Sequence, residues 1–303
     1  YLRHRLLRST RIAYMDWKTD WGLRGRMALT MFLLFALYLV FVGALWWSRS
    51  LIFLPLMGVF VLAQLFFSDK LALYSMGASK VSEDEYPELH TAINRLSQQA
   101  DLPKPDVAVA DSRVPNAFAT GRSKDSATIA VTTGLLRSLD QDELSGVLAH
   151  ELAHIKNRDV MIMTIASFLS TVAFMIVRIG FWFGGGHERE GGSQVLIAIV
   201  ASLIVWIVSY FLIRALSRYR EYAADRGGAI ISGQPSALAS ALLKIDGRME
   251  NVPREDLREQ SEMNAFFIVP VKSDLIGRLF STHPSTEQRV ERLRELEREL
   301  ETR

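Results

Sequence analysis

Four long apolar runs constrain the fold of this chain more than any other feature of its sequence. They cover residues 27–47, 51–67, 160–183 and 195–213. Helices of this length cross a hydrocarbon core of about 30 Å. A buried helix of a soluble protein rarely lacks polar residues on every face, as these runs do. The sequence therefore predicts a mainly α membrane protein with four transmembrane helices, and the first run is too long for the apolar core of a cleaved signal peptide.

Lysine and arginine indicate the orientation of these helices, because cytoplasmic flanks carry the excess of positive charge. Seven such residues precede the first run, whereas the turns between the paired runs carry one each. We therefore expect the N-terminus and the segments 68–159 and 214–303 to be cytoplasmic, and both turns to be external. The basic N-terminal arm either lies on anionic lipid or is a solvated leader that sets the orientation.

The apolar runs divide the chain into five segments. These are a basic cytoplasmic arm at 1–26, transmembrane helices 1 and 2 at 27–67, a first cytoplasmic part at 68–159, transmembrane helices 3 and 4 with a short external turn at 160–213, and a second cytoplasmic part at 214–303.

Short strands are predicted in the first cytoplasmic part. Ser82 fits the N-cap of a helix over 83–100. Beyond that helix, runs rich in β-branched and small apolar residues predict a small sheet with strands at 106–110, 115–120 and 127–132.

Three further helices follow from caps and breakers. Asp140 and Glu143 form a capping-box pattern at the start of one helix. No proline interrupts 141–183, so this helix can run unbroken into the third apolar run. The helix after the fourth run should end at Gly227-Gly228, and 284–301 reads as a charged C-terminal helix.

The motif His150-Glu151-Leu152-Ala153-His154 lies on the helix that begins near Asp140. Two imidazoles spaced four residues apart share one helix face and can bind one Zn²⁺, and the adjacent glutamate can reach a water on that metal. The alternative is two ordinary histidines on a helix. The chain contains no cysteine, so any metal site must use His, Asp or Glu.

Glu221 is the best candidate for a third ligand. Runs three and four form a hairpin, so their cytoplasmic ends must be neighbours. His154 precedes the third run by six residues and Glu221 follows the fourth by eight, which places both about 10 Å into the cytoplasm. Asp225 lies one turn after Glu221 and can accept the second N–H of a ligating imidazole. Alternatively, Glu221 is an ion-paired carboxylate among the neighbouring arginines Arg218, Arg220 and Arg226.

The other histidines suit a metal site less well. His187 lies in the predicted external turn, a membrane thickness away. His4 and His90 have no acidic neighbours, and we expect them to be ordinary surface or partly packed residues.

These residues predict hydrolytic chemistry. One Zn²⁺ per chain would lower the pKa of its bound water toward about 7. Glu151 would take the proton as general base and pass it to the leaving amine.

Several longer motifs resemble those of the HtpX-type membrane zinc metalloproteases, which are related to the CAAX prenyl proteases. The resemblance rests on VLAHELAHIKNRDV at 147–160, REYAADRGGA at 220–229, PNAFATG at 115–121, NAFFIVPV at 264–271 and FSTHPSTEQRVERL at 280–293. It implies a cytoplasmic zincin (gluzincin-like) α+β catalytic domain with a small sheet, built from the parts 68–159 and 214–303. The N-terminal arm is longer than this family leads us to expect.

The resemblance also implies roles for individual residues. His150, His154 and Glu221 would be the zinc ligands, Glu151 the catalytic glutamate and Asp225 the acid that supports a ligand.

Two further groups of residues are implied by the resemblance alone. His283 and Arg289 would face the metal and support the transition state, the alternative being a helix-start histidine and a surface arginine. Asn116, Ala117 and Phe118 would form an edge strand beside the cleft to which an extended substrate adds, the alternative being ordinary sheet packing.

The predicted function is a membrane-bound zinc endopeptidase that cleaves protein or peptide substrates, in particular misfolded membrane proteins, at the cytoplasmic face of the cell membrane during stress. Its partners would be these substrates and the lipid bilayer, with no nucleic acid, and the sequence does not indicate an oligomeric state. One alternative is a CAAX-type prenyl-protein protease, although four spans are too few for a closed helical chamber. Another is a non-hydrolytic metal-binding receptor or transporter, which would not need Glu151.

Overall fold

A computed structural model describes residues 20–47, 53–183, 192–249 and 283–302 of the chain. Most of the predicted N-terminal arm, His4, the turn with His187 and the motif at 264–271 lie outside these ranges. The described residues form nine α-helices: α1 (Trp21–Trp47), α2 (Phe53–Ser75), α3 (Pro87–Ala100), α4 (Thr133–Leu136), α5 (Gln141–Asn157), α6 (Asp159–Phe183), α7 (Gly192–Ser232), α8 (Pro235–Met249) and α9 (Thr286–Glu301).

Four short strands form one mixed sheet in the order β1-β2-β4-β3. The strands are β1 (Ala78–Lys80), β2 (Asp106–Ala110), β3 (Ala117–Thr120) and β4 (Thr128–Thr132). The central pair, β2 and β4, is parallel, and both outer strands pair antiparallel. The fold is therefore mainly helical with a small mixed sheet, as predicted. The three predicted strands are confirmed, and β1 was not predicted because it has only three residues.

The described residues divide into two compact units. The first contains Asp20, 68–160 and 220 onward, and the second contains 21–67 and 161–219.

The first unit packs helices on both faces of the sheet. Alternate residues of a strand face opposite sides, and Val107 and Ile129 accordingly belong to the large core with α3, α5, α8 and α9. Phe118 belongs to a small core on the other side, where the end of α2 contributes Ala72 and Met76. Helix α5 is thus held in the centre of the unit, and most of its residues are buried.

The second unit is a helical assembly with an apolar exterior. Leu34, Phe41 and Leu216 belong to its core, and the hydroxyl of Tyr38 donates a hydrogen bond to the carbonyl of Ala166 at 2.6 Å. Many large apolar side chains of its helices are exposed, among them Phe32 and Phe211. Such a surface is typical of helices that contact lipid.

Two helices, Trp21–Trp47 and Leu196–Ser232, are long and apolar enough to cross a membrane. A third candidate is the pair Asp159–Phe168 and Ser170–Arg178, which is bent by 40°. Among the described residues the structure therefore supports two or three spans, and the predicted number of four stays a prediction.

Three local predictions need correction. Helix α3 begins at Pro87 rather than 83, because Pro suits the first helical turn, and Ser82 instead donates to the Glu85 carboxylate within a preceding turn. Helix α5 does not run into α6, because Arg158 adopts a left-handed conformation with φ 55°. Helix α7 does not stop at the glycine pair and continues to Ser232. In the last two cases tertiary contacts decide the course of the chain.

The predicted capping box stabilises the start of α5. Asp140 accepts a hydrogen bond from the Glu143 N–H, and Glu143 accepts one from the Asp140 N–H. Glu143 is buried and also accepts from Ser240 Oγ and Lys244 Nζ of α8, each at 2.7 Å. One carboxylate therefore both caps α5 and ties it to α8.

We expect Glu143→Gln to destabilise the protein by about 2 kcal/mol, because a buried carboxylate then loses charge-assisted hydrogen bonds. In a domain of this size that corresponds to a fall in Tm of about 4–8 °C. Thermal unfolding in detergent measures it. Asp106→Asn, which removes the exposed ion pair with Lys80, is the matched control and should change Tm by no more than about 2 °C. Equal shifts in both variants would refute the proposed role of Glu143.

Candidate metal centre

The two histidines of the motif lie next to each other on α5. His150 and Glu151 are buried and His154 is partly buried. The Nε2 atoms of His150 and His154 are 3.1 Å apart, and the two rings are perpendicular with centroids 4.7 Å apart. Both imidazoles therefore direct one nitrogen to the same point beside the helix.

Helix α7 brings a carboxylate to that point. Glu221 Oε1 lies 3.5 Å from His154 Nε2, and Glu221 Oε2 lies 3.7 Å from His150 Nε2. Among the described residues, His150, His154 and Glu221 are the group that could hold a metal ion, with ligand atoms all within 4.8 Å of one another. The structure thus brings together the three residues that were predicted as metal ligands.

A glycine allows α5 and α7 to approach this closely. A Cβ atom at Gly228 would lie 2.8 Å from both Cα and N of His150, closer than real Cβ contacts allow. Gly228 follows Glu221 by seven residues, which places it on the same face of α7. Gly228 is the point where α7 crosses α5. This packing explains why α7 continues through the glycine pair.

The other nitrogen of each imidazole faces a carboxylate. Asp225 Oδ1 lies 3.0 Å from His150 Nδ1, as the sequence analysis expected. Asp159 Oδ2 lies 2.5 Å from His154 Nδ1. A carboxylate at Nδ1 favours the tautomer with the proton on Nδ1, so each Nε2 presents a lone pair to the shared point.

Asp159 and its partner Arg220 were not predicted as site residues. Asp159 begins α6 directly after the left-handed Arg158, and its Oδ1 forms an ion pair with Arg220 Nη2. The only signal in the sequence was an acidic residue at the edge of an apolar run, which is also a common helix start. Its contact with His154 depends on the chain turn at Arg158, which the sequence did not indicate.

The C-terminal helix α9 adds Arg289 to the same cluster, and the segment just before α9 adds His283. His283 Nδ1 lies 3.3 Å from Glu221 Oε2. Arg289 is fully buried and donates two hydrogen bonds to Asp225, from Nε at 2.8 Å and from Nη2 at 2.7 Å. Its Nη1 lies 3.6 Å from Glu221 Oε2 and its Nη2 lies 3.4 Å from His150 Nε2.

The electrostatics of the cluster favour a bound cation. Four carboxylates and two guanidiniums are buried there: Glu151, Asp159, Glu221 and Asp225, with Arg220 and Arg289. With neutral imidazoles two negative charges stay uncompensated, and uncompensated buried charge is costly. A divalent cation has the charge that balances them.

The pKa values of Glu151 and Glu221 shift in opposite directions from the ordinary value of a glutamate. Burial raises the pKa of Glu151, although His150 and His154 oppose the effect. Burial also opposes ionisation of Glu221, but attraction to His283, His154 and Arg289 outweighs it and holds the pKa well below its ordinary value. The surroundings therefore favour the ionised form of Glu221, which is the form that binds a metal, and disfavour the ionised form of Glu151.

The predicted edge strand lies at the boundary of the sheet, and its backbone reaches the cluster. The N–H of Ala119 on β3 donates a hydrogen bond to the Glu151 carboxylate. The side chains of Asn116, Ala117 and Phe118 are all buried, and Phe118 packs in the small core beneath the sheet. The backbone of this segment is therefore the part that can meet a ligand.

His90 matches the expectation of an ordinary packed histidine. It is buried, and its Nε2 contacts the carbonyl of Val81 at 3.1 Å, away from the metal-ligand group.

Comparison with known proteins agrees with this geometry. Residues 83–297 match the model of peptidase family M48. Protease HtpX homolog 2 of Methanosarcina mazei is 55% identical over 290 residues, covering 94% of this chain and 98% of the relative. Protease HtpX homolog of Moorella thermoacetica is 52% identical over 296 residues, with the same coverage.

A solved structure has a similar fold. The crystal structure of S. mikatae Ste24p matches with a TM-score of 0.53 and 21% identity, covering 90% of this chain and 66% of Ste24p. The extent of the family match and the identity to the HtpX homologs lead to one conclusion: the chain belongs to peptidase family M48 and is a membrane-bound metalloprotease.

Proposed function

We propose that this metalloprotease is a zinc endopeptidase whose ion is held by His150, His154 and Glu221. The observation that carries the proposal is the convergence of these side chains: the two Nε2 atoms lie 3.1 Å apart, Glu221 Oε1 lies 3.5 Å from His154 Nε2, and Glu221 Oε2 lies 3.7 Å from His150 Nε2. Ligands about 2.0–2.1 Å from a tetrahedral zinc ion lie about 3.3 Å apart, so the spacing fits. Three protein ligands also leave one position open, as a hydrolytic zinc site requires.

A bound zinc ion supplies Lewis-acid chemistry, which makes a water molecule acidic enough to act at neutral pH and polarises a carbonyl group. The chain supplies the proton transfer. Glu151 takes a proton from the attacking water and later delivers it to the leaving amine. Burial raises the pKa of Glu151, which strengthens it as a base, and the N–H of Ala119 holds its carboxylate beside the cleft.

His283 and Arg289 stabilise the charge that develops on the substrate oxygen in the transition state. Both lie within 3.6 Å of Glu221 Oε2, so both border the ligand cluster. Arg289 also fixes Asp225, which supports His150, so its removal should weaken both the metal site and catalysis.

The substrate binds in an extended conformation along β3. Asn116 O accepts from Thr132 N at 2.9 Å, so Asn116 faces β4, whereas the Ala119 N–H faces Glu151. Backbone groups alternate along a strand, so Ala117 and Ala119 direct theirs away from the sheet. A peptide can add as a further strand to the backbone groups of Ala117 and to the Ala119 carbonyl, whereas the Ala119 N–H holds Glu151.

The two compact units correspond, in this proposal, to a membrane anchor and a catalytic domain. The anchor contains transmembrane helices 1 and 2 at 27–67 and 3 and 4 at 160–213, and the domain faces the cytoplasm because Lys and Arg flank its side of the runs. Glu221 lies on the same helix as the apolar candidate span Leu196–Ser232. A catalytic domain that continues directly along the chain into a membrane helix suits substrates that come from the bilayer, such as misfolded membrane proteins.

Glu151→Gln should lower kcat by about 10³-fold, because general acid–base catalysis contributes about 10²–10⁴. The test compares cleavage of an unfolded protein and of a membrane protein by purified wild type and variant. Metal content should be unchanged. Glu143→Gln, a second buried glutamate of α5, is the control and should keep wild-type kcat below its melting temperature. Equal cleavage by Glu151→Gln and wild type would refute the role of Glu151.

Glu221→Ala should abolish tight metal binding, because two imidazoles alone form an incomplete site. Zinc per chain is measured after dialysis against a chelator, with circular dichroism to verify the helical fold. Wild-type stoichiometry in this variant would contradict the assignment of Glu221 as the third ligand, and a site that prefers another divalent ion would contradict zinc.

An N-methyl scan of a cleaved peptide tests the edge-strand proposal. Methylation should lower kcat/KM about fivefold at alternate residues, where the amide pairs with β3, because each lost hydrogen bond is worth about 1 kcal/mol. The intervening amides point away and serve as built-in controls. Uniform losses at consecutive positions, or no loss at any, would exclude strand addition.

A further inference from the structure

Asp159 and Arg220 form a buried pair that takes no part in the proposed proton transfer or in stabilising the transition state. Both side chains are buried, with exposed fractions of 8% and 2%. Asp159 presents one oxygen to each neighbour, since Oδ2 contacts His154 Nδ1 at 2.5 Å and Oδ1 pairs with Arg220 Nη2. The carboxylate therefore connects a predicted metal ligand to a buried guanidinium.

We propose that Asp159 is a positioning residue for His154, and that Arg220 holds Asp159 in place, so that the pair sets the affinity of the site for its metal. The inference rests on the proposed function, in which His154 is a metal ligand. Asp159 does not belong to the group of possible metal ligands, and it contacts one of them, His154, so it acts through the imidazole.

The contact determines which nitrogen of His154 is available. A proton on Nδ1 is shared with Asp159, which leaves the lone pair on Nε2, the atom that lies 3.1 Å from His150 Nε2. Without the carboxylate the ring could adopt the other tautomer or rotate, because its side chain is 18% exposed. A carboxylate partner also makes the imidazole more basic and so a stronger ligand.

Arg220 has a separate role, which is to hold Asp159 in place. A buried aspartate with one weak partner would be free to turn toward the metal position, and it would carry an unbalanced charge. Arg220 balances that charge and fixes the second oxygen. Since Arg220 directly precedes Glu221, the same stretch of α7 supplies a metal ligand and the anchor of the group that orients another.

The arrangement is repeated on the other histidine. His150 Nδ1 faces Asp225, and Asp225 receives two hydrogen bonds from the buried Arg289. Each imidazole of the motif is thus backed by an aspartate, and each aspartate by a buried arginine. Two independent occurrences of one arrangement in a single cluster argue that it serves the imidazoles and does not merely fill the core.

The test measures zinc affinity of the full chain in detergent by competition with a chromogenic chelator. Asp159→Asn cannot accept from both His154 and Arg220, so it should weaken zinc binding about 10–100-fold, the usual effect of losing such a partner. Arg220→Met should weaken it similarly, and Arg220→Lys, which keeps the charge but not the planar fork, should fall between Arg220→Met and wild type. The visible spectrum of the Co²⁺-loaded protein should change in Asp159→Asn, because a reoriented imidazole alters the ligand field.

Glu143→Gln separates positioning from general stability. It removes a buried, ion-paired carboxylate on α5 and should lower Tm while leaving zinc affinity and the Co²⁺ spectrum at wild-type values. Asp159→Asn should lower zinc affinity and change the Co²⁺ spectrum in addition to any fall in the metal-free Tm, because Arg220 then loses its buried partner. If Asp159→Asn binds zinc as tightly as wild type with an unchanged Co²⁺ spectrum, the inference is wrong.

His154→Ala separates failure of this inference from failure of the proposed function. Retained zinc in His154→Ala would overturn the ligand set itself, and with it the role of Asp159. Loss of zinc in His154→Ala together with wild-type affinity in Asp159→Asn would overturn only the positioning role.

Discussion

The close crossing of α5 and α7 is the contact on which the rest of the site depends. At Gly228 the backbone of α7 passes so near His150 that even a Cβ atom would collide with it. Glu221 and Asp225 reach the imidazoles because they lie about two turns and one turn, respectively, from that crossing on the same face of α7. A wider spacing would leave the carboxylates too distant to share an ion with the histidines or to hydrogen-bond their rings.

The crossing also concentrates charge in the protein interior. Carboxylates and guanidiniums alternate around the imidazoles, so that nearly every charged group has an opposite neighbour within hydrogen-bond distance. Pairing of this kind offsets the desolvation of each group but adds little net stability. Its value is geometric, because each pair fixes the direction of a ligand before the metal arrives.

Much of this arrangement could be predicted from the sequence. The capping box at Asp140, the core strands and the convergence of Glu221 on the histidine motif follow from local patterns and from the short hairpin. The left-handed turn at Arg158 and the passage of α7 through its glycines could not be predicted, because both run against local propensity and are held by tertiary contacts. Asp159 was not predicted as a site residue, because its contact with His154 forms only if the chain turns at Arg158. The number of membrane spans and the bounds of the domains stay predictions.

The site is assembled from three distant parts of the chain. Its residues come from 150–159, 220–225 and 283–289, and the apolar segment 161–219 separates the first two parts. During synthesis the motif on α5 emerges long before Glu221, and Arg289 emerges after both. A nascent chain therefore holds no complete set of metal ligands until the apolar segment between them has been made, and its site lacks Arg289 until later still. The order of these residues along the chain therefore delays completion of the site until the intervening membrane helices and the later arginine have been made.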